Sequence, residues 1–286
     1  MRDAETRVDA VIASQNILCK ITAKYSASSA CGEKDDVISI SDLKEIGIGN
    51  KKRIVAKFFD STGTIELIWF KSSKWLIDSI KLNTTNLSPL RSGNISVRGE
   101  EDGIKGFFIT PSGKKYESLK PQDIVFLSLN EEKDFLSWFN SGKNPSSEWR
   151  FHQDIYKNKW EAKAIVHAHS PNASAVSTHR KAIPPFHYMI ALAGGEDIRC
   201  SEYATFGTHE LSMNIVKALK DRKACLMSNH GQVAFGENLS KAFELAQEVE
   251  NICQQYIIAL KMGEPKILSF AEMKKILEKV KNYKSG

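Results

Sequence analysis

From Ser92 onward the chain alternates short β-forming runs with amphipathic helical stretches, and that alternation confines it to an α/β fold. Ile124–Leu127, Ala164–His169 and Ala224–Met227 are apolar runs of strand length. Thr208 precedes an apolar stripe at Leu211, Ile215 and Leu219, and Ser269 with Glu272 forms a capping-box pattern before Met273, Ile276, Leu277 and Val280. Between them, Ala242–Leu260 has the length and spacing of a long helix. Together these predict an α/β domain of roughly 195 residues, near the top of the common size range.

The whole chain has 286 residues, enough for one large or two modest domains. With 42% hydrophobic and 26% charged residues, neither disorder throughout nor a membrane bundle fits. Met1 to Cys19 scatters Arg and Asp among its apolar residues, so no signal peptide is expected, and no later run approaches the ~20 apolar residues of a membrane span. Five cysteines, odd in number and widely spaced, point to a reducing cytoplasm. The net charge of +6 is spread among both signs, with no basic run longer than Lys51-Lys52-Arg53. That is a poor footprint for nucleic acid, whereas a mildly basic surface suits a phosphorylated small substrate.

Residues 1–36 lack periodicity and carry a small, polar middle from Ser26 to Gly32, so a weakly structured lead-in is expected. Residues 37–86 are β-rich: Arg53–Phe59 and Thr64–Phe70 flank Asp60-Ser61-Thr62-Gly63, which reads as a hairpin. The pattern KKRIVAKFFDSTGTIELIWFKSSKW resembles part of the OB-like wedge domain of RecG-type DNA helicases over about residues 37–82. A helicase needs a G-x-x-x-x-G-K-[ST] phosphate loop, and the chain has none, which excludes that activity. The segment reads as a fused remnant, with nucleic-acid binding through Trp69, Phe70 and nearby lysines as the rival reading.

All seven histidines fall between His152 and His230. His167-x-His169 on a strand projects two imidazoles from one face, where they can share a metal ion. A third ligand is expected, and His230 in Ser228-Asn229-His230-Gly231 is the natural candidate. Three protein ligands leave a position open for substrate. Asn144-Pro145-Ser146-Ser147-Glu148-Trp149 sets two hydroxyls at a helix start, where free N–H groups favour a phosphate. Glu148 is then placed for acid–base work, although a glutamate there is also ordinary helix-dipole chemistry. Ser92-Gly93-Asn94 and Thr110-Pro111-Ser112-Gly113 offer further small donors, each by itself a common turn. His152, His179, His187 and His209 lack a spacing partner and receive no role, Trp149, Phe151 and Tyr156 fit a buried helix face, and Cys225 fits the core.

The order SGNISVR, FITPSGKKY, PSSEWRFH, AIVHAHSPNA, IPPFHYMIALAGG, YATFGT and SNHG resembles the class II aldolase/adducin family from about Leu87 to the C-terminus. The resemblance implies that residues 87–286 form a three-layer α/β/α catalytic domain with a central, mainly antiparallel sheet. It implies one Zn²⁺ per subunit on His167, His169 and His230, and Glu148 as the acid–base carboxylate that also approaches the metal. Gly93, Asn94, Ser112, Gly113, Ser146 and Ser147 match the substrate-phosphate site, and Phe206 matches an aromatic of the aldehyde pocket. Tyr188 matches a tyrosine that protonates the aldehyde oxygen from an adjacent subunit, and Tyr283 corresponds more loosely to a tyrosine of a mobile tail. Family members begin with a helix that helps build a homotetramer. Here the helicase-like segment takes that place, and Trp75–Leu82 is the candidate substitute helix.

The implied reaction is reversible cleavage of a ketose 1-phosphate, with L-fuculose 1-phosphate favoured, to dihydroxyacetone phosphate and L-lactaldehyde. Such cleavage develops negative charge on the carbonyl and neighbouring hydroxyl oxygens, which a divalent cation stabilises. No lysine is singled out for a Schiff base, so the metal route is preferred. Other sugar-phosphate aldolases and a methylthioribulose-1-phosphate dehydratase remain open. A pentulose-phosphate epimerase is expected to carry Asp or Thr where this chain has Glu148-Trp149, and a non-catalytic adducin-like module would have no need of the intact histidine set.

Overall fold

The computed structural model describes residues 87–88, 92–119, 123–130 and 144–282, together with the backbone of four strands nearer the N-terminus. The chain divides into two compact units, Met1–Ile77 and Asp78–Gly286. In the first unit β1 (Arg7–Asp9), β2 (Thr22–Lys24), β3 (Ile54–Asp60) and β4 (Gly63–Trp69) form a sheet in the order β2-β1-β3-β4. β3 and β4 pair antiparallel from Ile54↔Trp69 to Asp60↔Gly63, at the place where two β-rich runs flank a glycine-containing turn. β1 and β2 fall inside the stretch expected to be weakly structured, and they join the hairpin through β1–β3 pairing. Trp75–Leu82 and Tyr283 lie outside the described residues.

The second unit is built on a seven-stranded sheet in the order β7-β6-β5-β8-β11-β10-β9. Its strands are β5 (Asn94–Glu101), β6 (Ile104–Ile109), β7 (Val125–Ser128), β8 (Ala164–Ala168), β9 (Cys200–Ser201), β10 (Ala224–Met227) and β11 (Gly231–Gly236). Every pairing is antiparallel except β9–β10. The helices are α1 (Trp149–Asn158), α2 (Pro171–Ser177), α3 (His209–Ala218), α4 (Leu239–Met262) and α5 (Phe270–Asn282).

Alternation along the strands separates two buried faces. Ile165, Cys225, Met227, Val233 and Phe235 pack with Trp149, Phe151 and Ile155 of α1 and Leu211 and Ile215 of α3. On the opposite face the Gln232 side chain donates to Ala246 O of α4 and to Ser170 Oγ, just before α2. Helices on both faces make the three layers that the family resemblance implies. Strand β8 is buried along its whole length, which explains why Ala164–Ala168 reads as a continuous apolar run rather than an alternating one.

Side-chain caps mark the starts of α3, α4 and α5. Thr208 Oγ1 accepts from Leu211 N at 3.2 Å, Asn238 Oδ1 from Lys241 N at 2.9 Å and Ser269 Oγ from Glu272 N at 3.2 Å. Each such cap contributes about 1 kcal/mol. The Asn238 cap accounts for α4 beginning at Leu239, ahead of the apolar pattern at Ala242.

Candidate active site

Sheet register brings the site together at one end of the central strands. Asn94, the first residue of β5, stands opposite His167 of β8, and His167 stands opposite Val233 of β11. β8 ends at Ala168, so His169 lies one residue beyond the strand instead of on it. His230 lies in the turn between β10 and β11, held by bonds from its N–H to Met227 O (3.0 Å) and Ser177 Oγ (3.2 Å). Glu148 is the N-cap residue of α1, which begins where the sequence predicts.

These segments bring four side chains into contact. Glu148 Oε2 is 3.1 Å from His167 Nε2, and Oε1 is 3.2 Å from His230 Nε2. His169 Nε2 is 3.0 Å from His167 Nε2 and 2.9 Å from His230 Nε2. His167 Nδ1 lies 2.8 Å from Gln232 O, a carbonyl that can only accept, so Nδ1 carries the proton and Nε2 of the neutral ring holds a lone pair.

Glu148 and His167 are buried, His169 and His230 half-buried, and their charges act on one another. Burial pushes the Glu148 carboxyl up, but His167 and His230 outweigh it and hold the group well below the usual carboxylate range. Burial lowers His167, yet the Glu148 carboxylate beside it raises the ring overall. His169 is driven down to about 3 by burial and by repulsion from His167 and His230.

The donor set fits a divalent cation. One ligand atom from each of Glu148, His167, His169 and His230 lies within 4.8 Å of all the others. Glu148 Oε1 is buried and makes no hydrogen bond, its approach to His230 being a contact without hydrogen-bond geometry. His169 Nε2 lies 2.9–3.0 Å from Nε2 of both other rings, an arrangement that a shared cation accommodates. An N₃O set of this kind suits Zn²⁺ among the common ions.

A cavity of about 370 Å³ opens over His169, His230 and Glu148. Gly93, Asn94, Ser112, Gly113, Ser146 and Ser147 all reach its wall, as does Phe206. Tyr188 is not among the lining residues; it begins a 3₁₀ turn, Tyr188–Ala193, and is 56% exposed. Asn229 and Tyr203 also line the cavity, and the sequence reading assigned neither of them.

His152 and Tyr116, given no role from the sequence, hold residues that were assigned one. The Asn94 carboxamide donates to Ser146 Oγ at 2.9 Å and to Glu148 Oε2 at 3.0 Å. Its oxygen meets His152 Nε2, and the Tyr116 hydroxyl donates to Gly93 O at 2.7 Å. These partners stand far apart in sequence, so no local spacing marks them. The nearest signal was the polarity of His152 on an otherwise apolar helix face.

A model of the class II aldolase and adducin N-terminal domain matches residues 79–257. The 5-methylthioribulose-1-phosphate/5-deoxyribulose-1-phosphate aldolase of Rhodospirillum rubrum is 44% identical over 209 residues, covering 73% of this chain and 90% of that protein. The L-fuculose phosphate aldolase of Escherichia coli K12 is 43% identical over 215 residues, covering 74% and 95% respectively. A solved L-fuculose 1-phosphate aldolase is similar in structure, with a TM-score of 0.66 at 37% identity over 73% of this chain and 95% of that one.

Proposed function

The chain belongs to the class II aldolase and adducin family, as a metal-dependent carbon–carbon lyase, and we propose that it cleaves a ketose 1-phosphate reversibly to dihydroxyacetone phosphate and an aldehyde. L-Fuculose 1-phosphate, giving L-lactaldehyde, is the favoured substrate. The observation that carries this reading is the convergence of His167, His169, His230 and Glu148 beneath a cavity lined by small donors. Catalysis is assigned to residues 87–286, in a cytoplasmic homotetramer.

The three histidines would hold one Zn²⁺, which when bound supplies Lewis acidity toward the carbonyl and hydroxyl oxygens of the substrate. Exposed amides and hydroxyls of Gly93, Asn94, Ser112, Gly113, Ser146 and Ser147 bind the phosphate and orient the sugar chain. In the direction of synthesis Glu148 takes the proton from the carbon of dihydroxyacetone phosphate that forms the new bond, and returns it during cleavage. Tyr188 of an adjacent subunit protonates the aldehyde oxygen, a role consistent with its exposure on the single chain. Phe206 packs against the aldehyde end, and Tyr283 is assigned, more loosely, to substrate binding.

A second substrate reading has a specific basis: the Rhodospirillum rubrum relative, named for 5-methylthioribulose 1-phosphate and 5-deoxyribulose 1-phosphate, is as similar as the fuculose enzyme. Release of dihydroxyacetone phosphate from each of the three sugar phosphates by metal-loaded protein decides between them. A dehydratase would lose water without releasing it, and an epimerase would return an isomeric pentulose phosphate. Folded, metal-loaded protein that releases dihydroxyacetone phosphate from none of them defeats the aldolase assignment.

A further inference from the structure

We propose that His152 is a positioning residue, locking the Asn94 carboxamide so that Glu148 is held through Oε2 and turns Oε1 to the reaction. The inference rests on Glu148 being the acid–base group, and it concerns which of its oxygens moves the proton and what enforces that choice.

The argument follows donors and acceptors through a buried chain. Asn94 Nδ2 faces Glu148 Oε2 at 3.0 Å and Ser146 Oγ at 2.9 Å. A carboxylate only accepts, so the atom facing it must be the amide nitrogen. The Asn94 oxygen therefore faces His152 Nε2, 2.5 Å away, and that nitrogen must carry the ring proton. His152 Nδ1 is then bare and accepts from the Ser96 hydroxyl at 2.6 Å. With its proton committed, Ser96 Oγ must in turn accept from Tyr156 O–H at 2.8 Å. Donation thus runs one way, from Tyr156 through Ser96, His152 and Asn94 into Glu148.

Every member of that chain is buried: His152 and Ser96 are 0% exposed, and Asn94, Tyr156 and Glu148 at most 7%. Buried networks of this kind polarise cooperatively when fully satisfied. His152 is also stacked on Phe151, with ring centroids 4.6 Å apart, which fixes its plane. A flipped Asn94 would put its oxygen against the Glu148 carboxylate and its NH₂ against His152 Nε2–H, opposing like partners at both ends. Held as it is, Glu148 Oε2 is engaged by Asn94, and Oε1, buried 3.2 Å from His230 Nε2, is the oxygen without a hydrogen bond.

The test reads the tautomer directly. In ¹⁵N-histidine-labelled protein, with and without added Zn²⁺, the ring of His152 is assigned by its loss in His152→Gln. We expect a neutral ring with its proton on Nε2 at pH 7; a proton on Nδ1, or on both nitrogens, overturns the proposal. A second arm compares His152→Phe, which donates nothing, with His152→Gln, whose side-chain amide can still donate to Asn94 Oδ1. His152→Phe should lower kcat about 10–100-fold, as loss of an outer-shell partner typically does, and His152→Gln should recover most of it. Equal loss in both variants at an unchanged thermal midpoint overturns the proposal. If His152→Phe fails to fold, the tautomer decides. Absence of dihydroxyacetone phosphate release by the unaltered protein would instead indict the aldolase reading, and the spectrum would still judge the network.

Discussion

Gln232 O accepts the Nδ1 proton of His167 at 2.8 Å, across the two central strands of the sheet. The bond comes from a backbone group whose position is set by β8–β11 pairing, so the fold itself fixes the tautomer that exposes Nε2 to Glu148 and His169. Outer-sphere acceptors of this kind orient a metal-binding imidazole and raise its basicity. Because the partner is main chain, no side-chain substitution at position 232 removes it.

Alanine at His167, His169 or His230 should each abolish stoichiometric binding of a divalent metal. Loss of an outer partner costs about 10–100-fold in affinity, so loss of a ligand should cost at least about 100-fold. Metal content after gel filtration, measured by elemental analysis, checks this. Retention of one ion per chain in all three variants would remove the histidine set from the site.

Metal binding should also stabilise the folded protein, because the four ligands converge only in the native state. At free Zn²⁺ 100-fold above Kd the gain is about 2.7 kcal/mol. For a domain of this size that corresponds to a rise of roughly 5–10 °C in the thermal midpoint. His230→Ala should show no such rise, and an equal rise in that variant would locate the ion elsewhere.

The elements legible in the sequence were those that depend on near neighbours. Thr208 with Leu211, Ser269 with Glu272 and the apolar run at Ala164 are local patterns, and each appears at its expected place. His167 and His169 were legible for the same reason, being two residues apart, and His230 was found from its place after an apolar strand. Asn94, Ser96, His152 and Tyr156 belong to one network only because β5 lies beside β8 and beneath α1, and sequence separations of 56 to 60 residues leave no periodic trace of that. His152 therefore read as an ordinary histidine although it is fully buried at the site.

Its burial has a consequence for acid stability. Burial, followed by repulsion from His167, lowers His152 from 6.5 to about 3. Between those values the unfolded chain binds a proton that the folded protein refuses, so stability falls as pH drops from about 6.5 toward 3 and is insensitive to this group above about 7. The slope from one such site is at most about 1.4 kcal/mol per pH unit. Denaturant unfolding of the metal-free protein at pH 7, 6 and 5 should show a steeper loss in the unaltered chain than in His152→Gln. Matching slopes would mean that His152 titrates normally in the fold.

Two glycines at the cavity wall should respond differently to the same substitution. Gly93 and Gly113 both have left-handed backbones, φ +77° and +75°, which an L side chain adopts at a cost of about 1–2 kcal/mol. A Cβ at Gly113 would meet nothing within 4 Å, so Gly113→Ala should cost only that backbone penalty. A Cβ at Gly93 would lie 2.4 Å from Ser88 Oγ and 2.6 Å from His167 O. The second contact is main chain of the strand that carries a metal-facing histidine, and it cannot yield without moving the site. Gly93→Ala should therefore cost a further 1–3 kcal/mol or so and also weaken metal binding, because relief requires β5 to draw away from β8 at the Asn94–His167 pair. Urea midpoints of the two variants, with metal titrations on each, separate these effects. Equal destabilisation with unchanged metal affinity would show that the strand ends adjust freely, and that the close approach at Gly93 does not set the site's geometry.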